Sequence, residues 1–436
     1  MIDEDAALAV KPLLINSTIS SGGSAKAVLR LFRGLRKLGV GAILVCQERS
    51  NSEEGVLGIS GWGDWWMMVM LKAFEASLLR LYRQRSKAAF TSAWFGKRIA
   101  RLVRVAGVNV IHLNQFNNGF LGMNFLRKNP VPTVWTLHDW WSITGGCHVP
   151  GVCTRHAVGC GRCPVLNSNT MLDLSRVNYV AKSWRWRNVK VRLVSVSTAL
   201  RSSIQQSQFF KEKSVEVVPN GLDLEVFRPI PKLIARNALA LPDNARILLF
   251  GANAFRADTN KGFALVKELG MYLGATRGAE DYMIVTFGDN AGIDDGELGV
   301  RSRSFGYVAD DVTLALLYSA ANVTLVPSRQ ESFGLIATES LACGTPVLGF
   351  RTGGLTDIVD HEQNGFLATP YSITNYIEGA DWLLRDADRP EDARGLRSCA
   401  RDKAMREYGI MNISMRYLAE YSIAKATAPI TEVQDC

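Results

Sequence analysis

The chain has 436 residues, of which 47% are hydrophobic and 21% are charged, which excludes a disordered protein and allows two domains of ordinary size. The formal net charge is +9, but residues 1–215 carry 29 Lys and Arg against 11 Asp and Glu, whereas residues 216–436 carry 21 against 30. The basic first half predicts an anionic partner, such as a membrane surface or a lipid-linked phosphate. A basic surface that only keeps the protein soluble would have the same composition.

Other classes of protein are excluded by features that the sequence lacks. The N-terminus is acidic, without the basic start or apolar core of a secretion signal, and no apolar stretch is long enough to span a membrane. We therefore expect a cytoplasmic protein, soluble or peripheral at the inner face of the cytoplasmic membrane. The sequence contains no motif of a known nucleic-acid-binding domain, so no nucleic-acid partner is expected. Eight cysteines in a chain this long do not indicate a secreted disulfide scaffold.

The first half opens with a strand–helix–strand pattern. Apolar residues 13–15 predict a buried strand, and a loop with Gly22 and Gly23 leads into an amphipathic helix. The glycine loop either lets the backbone approach a ligand closely or forms a simple turn. The alternation is typical of a parallel sheet covered by helices. Further strands are predicted at residues 41–45, 108–113, 133–137 and 192–195.

Residues 59–98 differ in composition from the rest of the first half. Trp and Met are concentrated between Trp62 and Met70, and basic residues follow from Arg80 to Arg98. This mixture suits a helix that lies at a membrane interface. It also suits a buried helix rich in Trp and Met, and the sequence leaves both interpretations open.

A cysteine-rich loop comes shortly after His138 and Asp139, which end the strand predicted at 133–137. Its pattern is Cys-x5-Cys-x6-Cys-x2-Cys, formed by Cys147, Cys153, Cys160 and Cys163. Four thiolates this close in sequence can complete a tetrahedral structural zinc site, with His148 and His156 as substitute ligands. Disulfides, an iron–sulfur cluster and free thiols are the alternatives, and a reducing cytosol favours a metal over disulfides.

The strand pattern restarts in the second half of the chain. Strands are predicted at residues 247–250, 283–287, 323–326 and 346–350. We therefore expect a second doubly wound parallel sheet, with a ligand cleft between the two domains. The segment 217–223 contains Pro219-Asn220-Gly221, which marks either the domain boundary or an ordinary turn.

Residues 327–348 are the most informative stretch, because an apolar strand there leads into a polar loop and then a helix. Glu331 lies in the loop and Glu339 lies about two turns into the helix, ~10 Å farther along its axis. Unpaired amides and the positive dipole end at a helix start favour a phosphate. The amides in question belong to Ser332, Phe333, Gly334 and Leu335. The alternative is an ordinary β-α-β unit with two acidic side chains on its surface.

Two other loops follow strands of the second half. Arg256 and Lys261 come after the strand at 247–250, and two cations at the end of a strand can neutralise a diphosphate. Lone surface cations are the alternative interpretation. Tyr307 and Val308 lie in a loop after Phe305-Gly306 that a plain turn also explains.

The stretch from Glu331 to Glu339 resembles the Glu-x7-Glu signature of family 4 glycosyltransferases, and the surrounding Phe-Gly and Ala-Cys-Gly-Thr-Pro-Val residues match its frame. The resemblance extends from about residue 12 to residue 425 and includes the segment 217–223. It implies the GT-B fold, an α/β architecture of two Rossmann-like domains that face a central cleft. The expected parts are an acceptor-side domain at 12–215 with the Cys-rich loop 147–163, a nucleotide-sugar domain at 216–405, and a helix at 406–425 that crosses back to the first domain.

The resemblance implies a retaining transferase that takes a hexose from a UDP- or GDP-hexose. Glu339 would hold the ribose hydroxyls, and Glu331 would hold hydroxyls of the transferred sugar. The diphosphate would meet Lys261, Arg256 and the helix-start amides of 332–335. Relatives place the arginine directly after the strand glycine, whereas four residues intervene here.

Further roles follow from the same resemblance. His138 would contact the donor sugar without acting as a general base, and the loop with Gly22 and Gly23 would face the sugar, the diphosphate and the acceptor. The backbone at Tyr307 and Val308 would bind the nucleobase edge. No Asp-x-Asp metal motif occurs in the relevant place, so we expect no cofactor for catalysis.

The run from His138 to Cys147 is similar to bacterial exopolysaccharide transferases, including the colanic-acid type. This similarity implies a polyprenyl-diphosphate-linked oligosaccharide as acceptor, in cell-surface polysaccharide biosynthesis, with the Cys-rich loop folded over the acceptor side. The alternatives are a sugar-nucleotide epimerase or a phosphorylase with the same fold, or a non-catalytic sugar-nucleotide-binding subunit.

Overall fold

The chain divides into two compact units. Unit 1 contains Met1–Gly221 and Ile410–Cys436, and unit 2 contains Leu222–Gly409. The first division falls inside the segment 217–223, later than residue 215. Unit 1 is discontinuous, because its last helix follows the whole of unit 2 in sequence. The structure is a computed structural model that describes residues 10–48, 53–58, 62–96, 107–290, 293–385 and 395–427.

The described strands form two parallel sheets. The seven-stranded sheet of unit 1 has the order β3-β2-β1-β4-β5-β6-β7, and the six-stranded sheet of unit 2 has the order β10-β9-β8-β11-β12-β13. The strands are β1 (Pro12–Ile15), β2 (Ile43–Cys46), β3 (Val56–Gly58), β4 (Val110–Leu113), β5 (Thr133–Leu137), β6 (Arg192–Ser195), β7 (Val215–Val217), β8 (Arg246–Gly251), β9 (Tyr282–Phe287), β10 (Arg301–Ser304), β11 (Val323–Val326), β12 (Val347–Phe350) and β13 (Gly365–Ala368). Both sheets confirm the predicted doubly wound α/β class.

Helices connect the strands, as a parallel sheet requires. The described α-helices are α1 (Gly23–Lys37), α2 (Trp62–Arg80), α3 (Phe125–Lys128), α4 (Leu174–Trp186), α5 (Thr198–Gln205), α6 (Lys232–Ala238), α7 (Phe263–Leu273), α8 (Asp295–Leu298), α9 (Asp311–Ala320), α10 (Leu335–Ala342), α11 (Leu355–Ile358), α12 (Ile373–Leu384), α13 (Leu396–Glu407) and α14 (Ile410–Ala426). Short helical turns occur at Trp140–Ile143, Arg155–Ala157, Thr259–Lys261, Gly274–Gly278 and Ala279–Asp281.

Strands β1, β4 and β5 are buried along their whole length, as expected for strands covered on both faces. Helix α1 buries Val28, Leu31 and Leu35, which are spaced at helical intervals and pack in the core of unit 1. Each unit has its own apolar cluster, and that of unit 2 is built on β8, α7 and their neighbours.

A buried polar group ties α14 to the sheet of unit 1. Nδ1 of His112 lies 2.8 Å from the hydroxyl of Tyr421, and its Nε2 lies 2.7 Å from Oγ1 of Thr136. The Tyr417 hydroxyl lies 3.0 Å from the same Thr136 oxygen. Burial lowers the pKa of His112 to about 3, so its ring is neutral at pH 7. The helix predicted at 406–425 begins only at Ile410, because the backbone of Tyr408 and Gly409 pairs with Leu222 in unit 2.

Helix α2 exposes four of its tryptophan and methionine side chains. The exposed fractions are 46% for Trp65, 56% for Trp66, 41% for Met67 and 67% for Met70. The interpretation of α2 as a buried helix is therefore wrong for these side chains. Lys97 and Arg98, part of the same predicted segment, lie outside the described residues. Among the described helices, none is long and apolar enough to cross a bilayer.

Candidate functional site

The centre of the candidate site in unit 2 is an ion pair. Nζ of Lys261 lies 2.7 Å from Oε1 of Glu331, and both side chains are largely buried. Burial works to lower the pKa of Lys261, but the attraction of Glu331 and its hydrogen bond outweigh burial and raise that pKa. Lys261 ends the turn after β8 and Glu331 lies in the loop after β11. Neighbouring parallel strands bring these two loops to the same edge of the sheet.

Asn260 holds these two loops together. Its side chain donates to the Gln330 carbonyl at 2.9 Å and accepts from the Gln330 amide at 3.1 Å, and its own carbonyl accepts from the Arg329 amide at 2.8 Å. Gly262 follows with a φ of 74°, and a Cβ there would lie 2.2 Å from the Pro327 carbonyl oxygen. The Lys261 turn can therefore lie this close to the second loop only with glycine at 262.

The start of α10 lies directly after Glu331. The helix begins at Leu335 and has eight residues, and its N-cap residue is Gly334, which has no side chain to cap the first amides. Phe333 is buried and packs edge-on against Tyr408, with ring centroids 6.0 Å apart. The Gly354 amide donates to the Glu331 carbonyl at 2.9 Å. The predicted amide positions Ser332, Phe333, Gly334 and Leu335 therefore do form a helix start beside the ion pair.

Glu339 lies on the buried side of the same helix. It is 3% exposed, and its Oε2 accepts a hydrogen bond from the Tyr318 hydroxyl at 2.8 Å. A buried carboxylate requires hydrogen-bond donors, and Tyr318 on α9 supplies one of them. Glu331 and Glu339 thus occupy different surroundings: one pairs with a cation and the other with a phenol.

The loops after β8, β9 and β10 are also joined at this edge of the sheet. The Gly288 amide donates to the Gly306 carbonyl at 2.7 Å, and the Tyr307 amide donates to Oδ1 of Asn290 at 3.0 Å. Tyr307 is 44% exposed, while Val308 is half-buried. Tyr307 and Val308 therefore lie beside the loop after β9, and their role at a nucleobase stays a prediction.

Arg256 is engaged with other residues of unit 2. Its guanidinium donates to Glu297 at 2.8 and 3.2 Å and lies 5.3 Å from the centre of the Phe263 ring. The Glu297 hydrogen bonds raise the pKa of Arg256. In contrast to Lys261, Arg256 therefore points to a surface carboxylate on α8, and its expected role at a diphosphate stays a prediction.

In unit 1, Glu48 organises the loop that leads to Gly22 and Gly23. Its carboxylate accepts from the amides of Ile19 and Ser20 at 3.1 and 3.0 Å and from the Ser20 hydroxyl at 2.7 Å. Gly22 precedes helix α1, and no atom lies within 4 Å of the place where a side chain would be. A side chain at position 22 would therefore meet open space.

His138 lies at the end of β5. Its Nε2 is 2.8 Å from Oδ1 of Asn114, and burial lowers the pKa of His138 to about 4 although Asp139 opposes that shift. The ring is therefore neutral at pH 7 and already has a side-chain partner. The expected contact of His138 with the donor sugar stays a prediction.

A chain of side-chain hydrogen bonds connects the two loops of unit 1. Ser24 at the start of α1 donates to Gln115 at 2.7 Å, and Gln115 donates to Asp139 at 2.8 Å. The same Asp139 oxygen lies 2.8 Å from Nδ1 of His148, whose Nε2 is 3.0 Å from Thr91. Both ring nitrogens of His148 are therefore engaged, and its role as a substitute metal ligand stays a prediction.

The four predicted metal ligands share one small cavity. Cys147, Cys153, Cys160 and Cys163 carry free thiols, and all four line a cavity of about 20 Å³ together with His156. Burial raises the pKa of the Cys147 and Cys160 thiols to about 12. Within the described part of the chain, no three Cys, His, Asp or Glu side chains are already arranged to hold a metal ion.

Several residues that shape these sites were not singled out from the sequence: Glu48, Gln115, Asn260, Asn290 and Gly353. Asn260 could have been found from the sequence, because it is next to Lys261 in the loop after a predicted strand. Gly353 could have been found because it follows the strand predicted at 346–350. Glu48 and Gln115 gave none, since a single polar residue after a strand is common.

Two parallel-sheet α/β units in one chain, the second with a cation and a carboxylate at a helix start, define the class of GT-B-fold proteins. Matches to protein families agree, with Glycosyltransferase Family 4 over residues 21–226 and Glycosyl transferases group 1 over residues 292–398. A D-inositol 3-phosphate glycosyltransferase of Acidothermus cellulolyticus is 35% identical over 341 residues, covering 75% of this chain and 67% of that protein. The chain therefore belongs to the group 1, family 4 glycosyltransferases.

Other relatives match over a smaller part of their length. A D-inositol 3-phosphate glycosyltransferase of Saccharomonospora viridis is 36% identical over 209 residues, and the match spans 44% of this chain and 46% of that protein. A glycosyltransferase of Methanocaldococcus jannaschii is 28% identical over 265 residues, which are 57% of this chain and 65% of that protein. The chain thus matches between about half and two thirds of these two relatives.

Solved structures show the same fold at low sequence identity. Sucrose-phosphate synthase from Thermosynechococcus elongatus has a TM-score of 0.67 and 20% identity, over 96% of this chain and 99% of that one. Anabaena Alr3699/HepE in complex with UDP-glucose has a TM-score of 0.62 and 17% identity, over 95% and 99% of the two chains. These likenesses establish the GT-B fold.

Proposed function

We propose that this chain is a retaining glycosyltransferase that takes a hexose from a nucleotide diphosphate sugar. The observation that carries the proposal is the pairing of Lys261 with Glu331 at 2.7 Å, directly before a helix start whose N-cap residue is Gly334. A cation and backbone amides suit a diphosphate, and a carboxylate suits sugar hydroxyls.

The ion pair also suggests how the donor is received. Lys261 and Glu331 satisfy each other in the free protein, and a bound donor would offer a separate partner to each: the diphosphate to Lys261 and the sugar hydroxyls to Glu331. Glu339 would accept from the ribose hydroxyls. Catalysis would then consist mainly of stabilising negative charge on the leaving diphosphate and of positioning the sugar. In this proposal, an oxygen of the leaving phosphate takes the acceptor proton.

UDP-hexose is the donor that we propose to test first. The support is the Anabaena structure, whose complex contains UDP-glucose. The low identity limits that support to the fold, so a GDP-hexose is the second donor to test.

The proposed acceptor is a polyprenyl-diphosphate-linked oligosaccharide in cell-surface polysaccharide biosynthesis. The relatives named D-inositol 3-phosphate glycosyltransferase support an acceptor that carries a phosphate. Inositol phosphate itself is therefore the acceptor to compare with the lipid-linked one. If the protein transfers the sugar to inositol phosphate but not to a lipid-linked saccharide, the proposed lipid-linked acceptor is wrong.

A basic groove in unit 1 supports peripheral contact with anionic lipid. It has a volume of about 990 Å³ and lies at the amino ends of β5, β6 and β7. Trp184 in this groove is 58% exposed and lies between the guanidinium groups of Arg127 and Arg185, at 4.9 and 5.4 Å from its ring. The other basic residues of the groove are Arg187, Lys190, Arg192 and Lys213.

Transfer from labelled UDP- and GDP-hexoses to the two acceptors tests the function. We expect Lys261→Ala to reduce turnover ~10²–10³-fold, because the leaving diphosphate loses a preorganised charge. Lys403→Ala is the matched control: it also breaks Lys–carboxylate pairs of unit 2, with Asp360 at 3.0 Å and Glu407 at 3.4 Å, but these residues lie outside the two loops that carry Lys261 and Glu331. Equal activity of the two variants would refute the proposed site.

The same assay separates the alternatives. An epimerase would return an altered sugar nucleotide, and a phosphorylase would depend on inorganic phosphate. A binding subunit would bind the donor without forming any product.

A further inference from the structure

The Cys-rich loop of unit 1 encloses a cavity with the volume of roughly one water molecule. The cavity measures about 20 Å³, and its wall contains four thiols and one imidazole: Cys147, Cys153, Cys160, Cys163 and His156. None of the four thiols is in a disulfide. Five potential metal ligands therefore line one small cavity.

A backbone amide already points at one of the sulfurs. The Gly145 amide donates to Sγ of Cys160 at 3.2 Å. Sγ of Cys160 therefore already acts as an acceptor at the wall of the cavity.

The backbone of this loop is strained. Cys160 has a φ of 58° and Arg162 a φ of 46°, the left-handed region that residues with a side chain rarely occupy. Such strain persists only where surrounding interactions hold it. Part of that support is visible, since Arg162 donates through its amide to the Thr170 carbonyl at 2.9 Å. A bound ion would supply the rest by holding Cys160 and Cys163 together.

The imidazole of His156 gives an independent observation. Its Nδ1 is buried and has no hydrogen-bond partner of normal geometry, although the backbone of Cys153 is close. Buried polar atoms are nearly always satisfied, so an orphan atom beside a cavity points to a missing partner. A thiolate on a bound ion would give this N–H an acceptor.

We propose that Cys147, Cys153, Cys160 and Cys163 bind one structural zinc ion as four thiolates. Each thiol that binds zinc loses its proton, so binding releases protons to solvent. In the described structure the side chains do not yet converge at ligand distance. Zn–S bonds of ~2.3 Å place the sulfurs of a tetrahedral site ~3.8 Å apart, so binding draws the four side chains toward the cavity.

The expected consequence is a fixed loop after β5. The Thr144 hydroxyl donates to the Cys147 carbonyl at 2.6 Å, and His148 next to Cys147 lies 2.8 Å from Asp139. Through these contacts a zinc ion would hold the position of Asp139 and of His138 beside it. The inference concerns unit 1 alone and does not depend on the proposed transfer reaction.

Metal analysis of the full chain, purified without chelator, tests the proposal. We expect one zinc per chain, released in step with titration of the thiols by an organomercurial. Cobalt substitution should give the intense visible absorption of tetrahedral cobalt with thiolate ligands. Protein that contains no zinc and takes up neither zinc nor cobalt would overturn the inference, as would mass spectrometry showing disulfides among these four cysteines.

Variants assign the ligands. The double variant Cys160→Ser/Cys163→Ser should lose the metal, whereas Cys399→Ser, which changes an exposed cysteine of unit 2, should keep it. Full zinc content in the double variant would refute the assignment. If the double variant does not fold, titration of the thiols in the native chain still tests the proposal. In that titration, zinc must be released as the thiols are modified.

Discussion

At the scale of single residues, the candidate site of unit 2 depends on loops that lie close together only because glycine has no side chain at the points of contact. A Cβ at Gly353 would lie 2.0 Å from the Glu331 carbonyl oxygen, and a Cβ at Gly262 would lie 2.2 Å from that of Pro327. Both contacts are with backbone, which cannot rotate away. The position of Glu331 therefore depends on a glycine that lies 22 residues later in the sequence.

We expect Gly353→Ala to destabilise unit 2 by ~1–3 kcal/mol, because the methyl group overlaps backbone and the φ of 54° is strained for alanine. Donor affinity should fall as well, since the Glu331 loop must move. Differential scanning calorimetry and donor titration measure the two effects.

Gly41→Ala is the control for this substitution, because the nearest atom to its Cβ would be Cγ of Lys11 at 3.9 Å. We expect the control to change stability by less than ~0.5 kcal/mol. Unchanged donor affinity in Gly353→Ala would show that the Gly353 contact does not position Glu331.

At the scale of elements, the sequence predicted the nine inner strands of the two sheets and missed the four edge strands: β3, β7, β10 and β13. Inner strands are continuous apolar runs because helices cover both faces. The edge strands β3 and β7 have three residues each, and β10, Arg301–Ser304, is polar. These three edges therefore lack the apolar run on which the prediction depends, whereas β13, Gly365–Ala368, is a buried apolar run that the sequence analysis overlooked.

The site was predictable in part for a similar reason. Lys261, Glu331 and Glu339 each follow a strand or lie in a recognisable frame, and the resemblance to a family supplied their roles. The residues that position these three side chains do not lie in a recognisable sequence motif. Asn260 bonds to Gln330 across 70 residues, and only the folded chain brings such a pair together.

The buried polar group under α14 gives a pH-dependent prediction. The pKa of His112 is about 3 in the folded chain and ~6.5 in the unfolded one. Between these values only the unfolded chain binds the proton, so stability is full above pH ~6.5 and falls as the pH drops, by at most ~1.4 kcal/mol per pH unit. We expect His112→Gln to make this acid slope shallower but not to abolish it, since burial also lowers the pKa of His138 to about 4.

Tyr421→Phe is the comparison that separates titration from hydrogen bonding. It removes the 2.8 Å contact with His112 but keeps the imidazole, so we expect a loss of ~1–3 kcal/mol with the acid slope retained. Urea unfolding at several pH values, followed by tryptophan fluorescence, measures both variants. An unchanged slope in His112→Gln would contradict the prediction.

At the scale of the whole molecule, charge and exposed aromatic residues lie on the same unit. Residues 1–215 have a net charge of +18 and residues 216–436 one of −9, and α2 exposes Trp65, Trp66 and Met70. Aromatic side chains favour the interfacial region of a bilayer, and each Lys or Arg near anionic lipid adds ~1 kcal/mol. The two features together favour a membrane surface over an anionic partner in solution.

We expect the protein to bind vesicles that contain phosphatidylglycerol, less so at high salt, and to bind neutral vesicles weakly. Arg187→Gln/Lys190→Gln should weaken binding ~30-fold, since two favourable charges are lost. Trp65→Ser/Trp66→Ser should weaken binding to both kinds of vesicle.

Met405→Ser, which removes a 57% exposed methionine from unit 2, is the control and should leave vesicle binding unchanged. Co-sedimentation at two salt concentrations gives the measurement. Equal binding to charged and neutral vesicles would contradict the electrostatic part of the prediction.

The position of α14 at the end of the sequence affects how the protein is made. The first 221 residues leave the ribosome without the helix that covers His112, and Leu222–Gly409 must be translated before that helix exists. At 5–20 residues per second this interval lasts roughly 10–40 s. During that time the surface that α14 later covers is available to chaperones, while the second unit can complete its own core during synthesis.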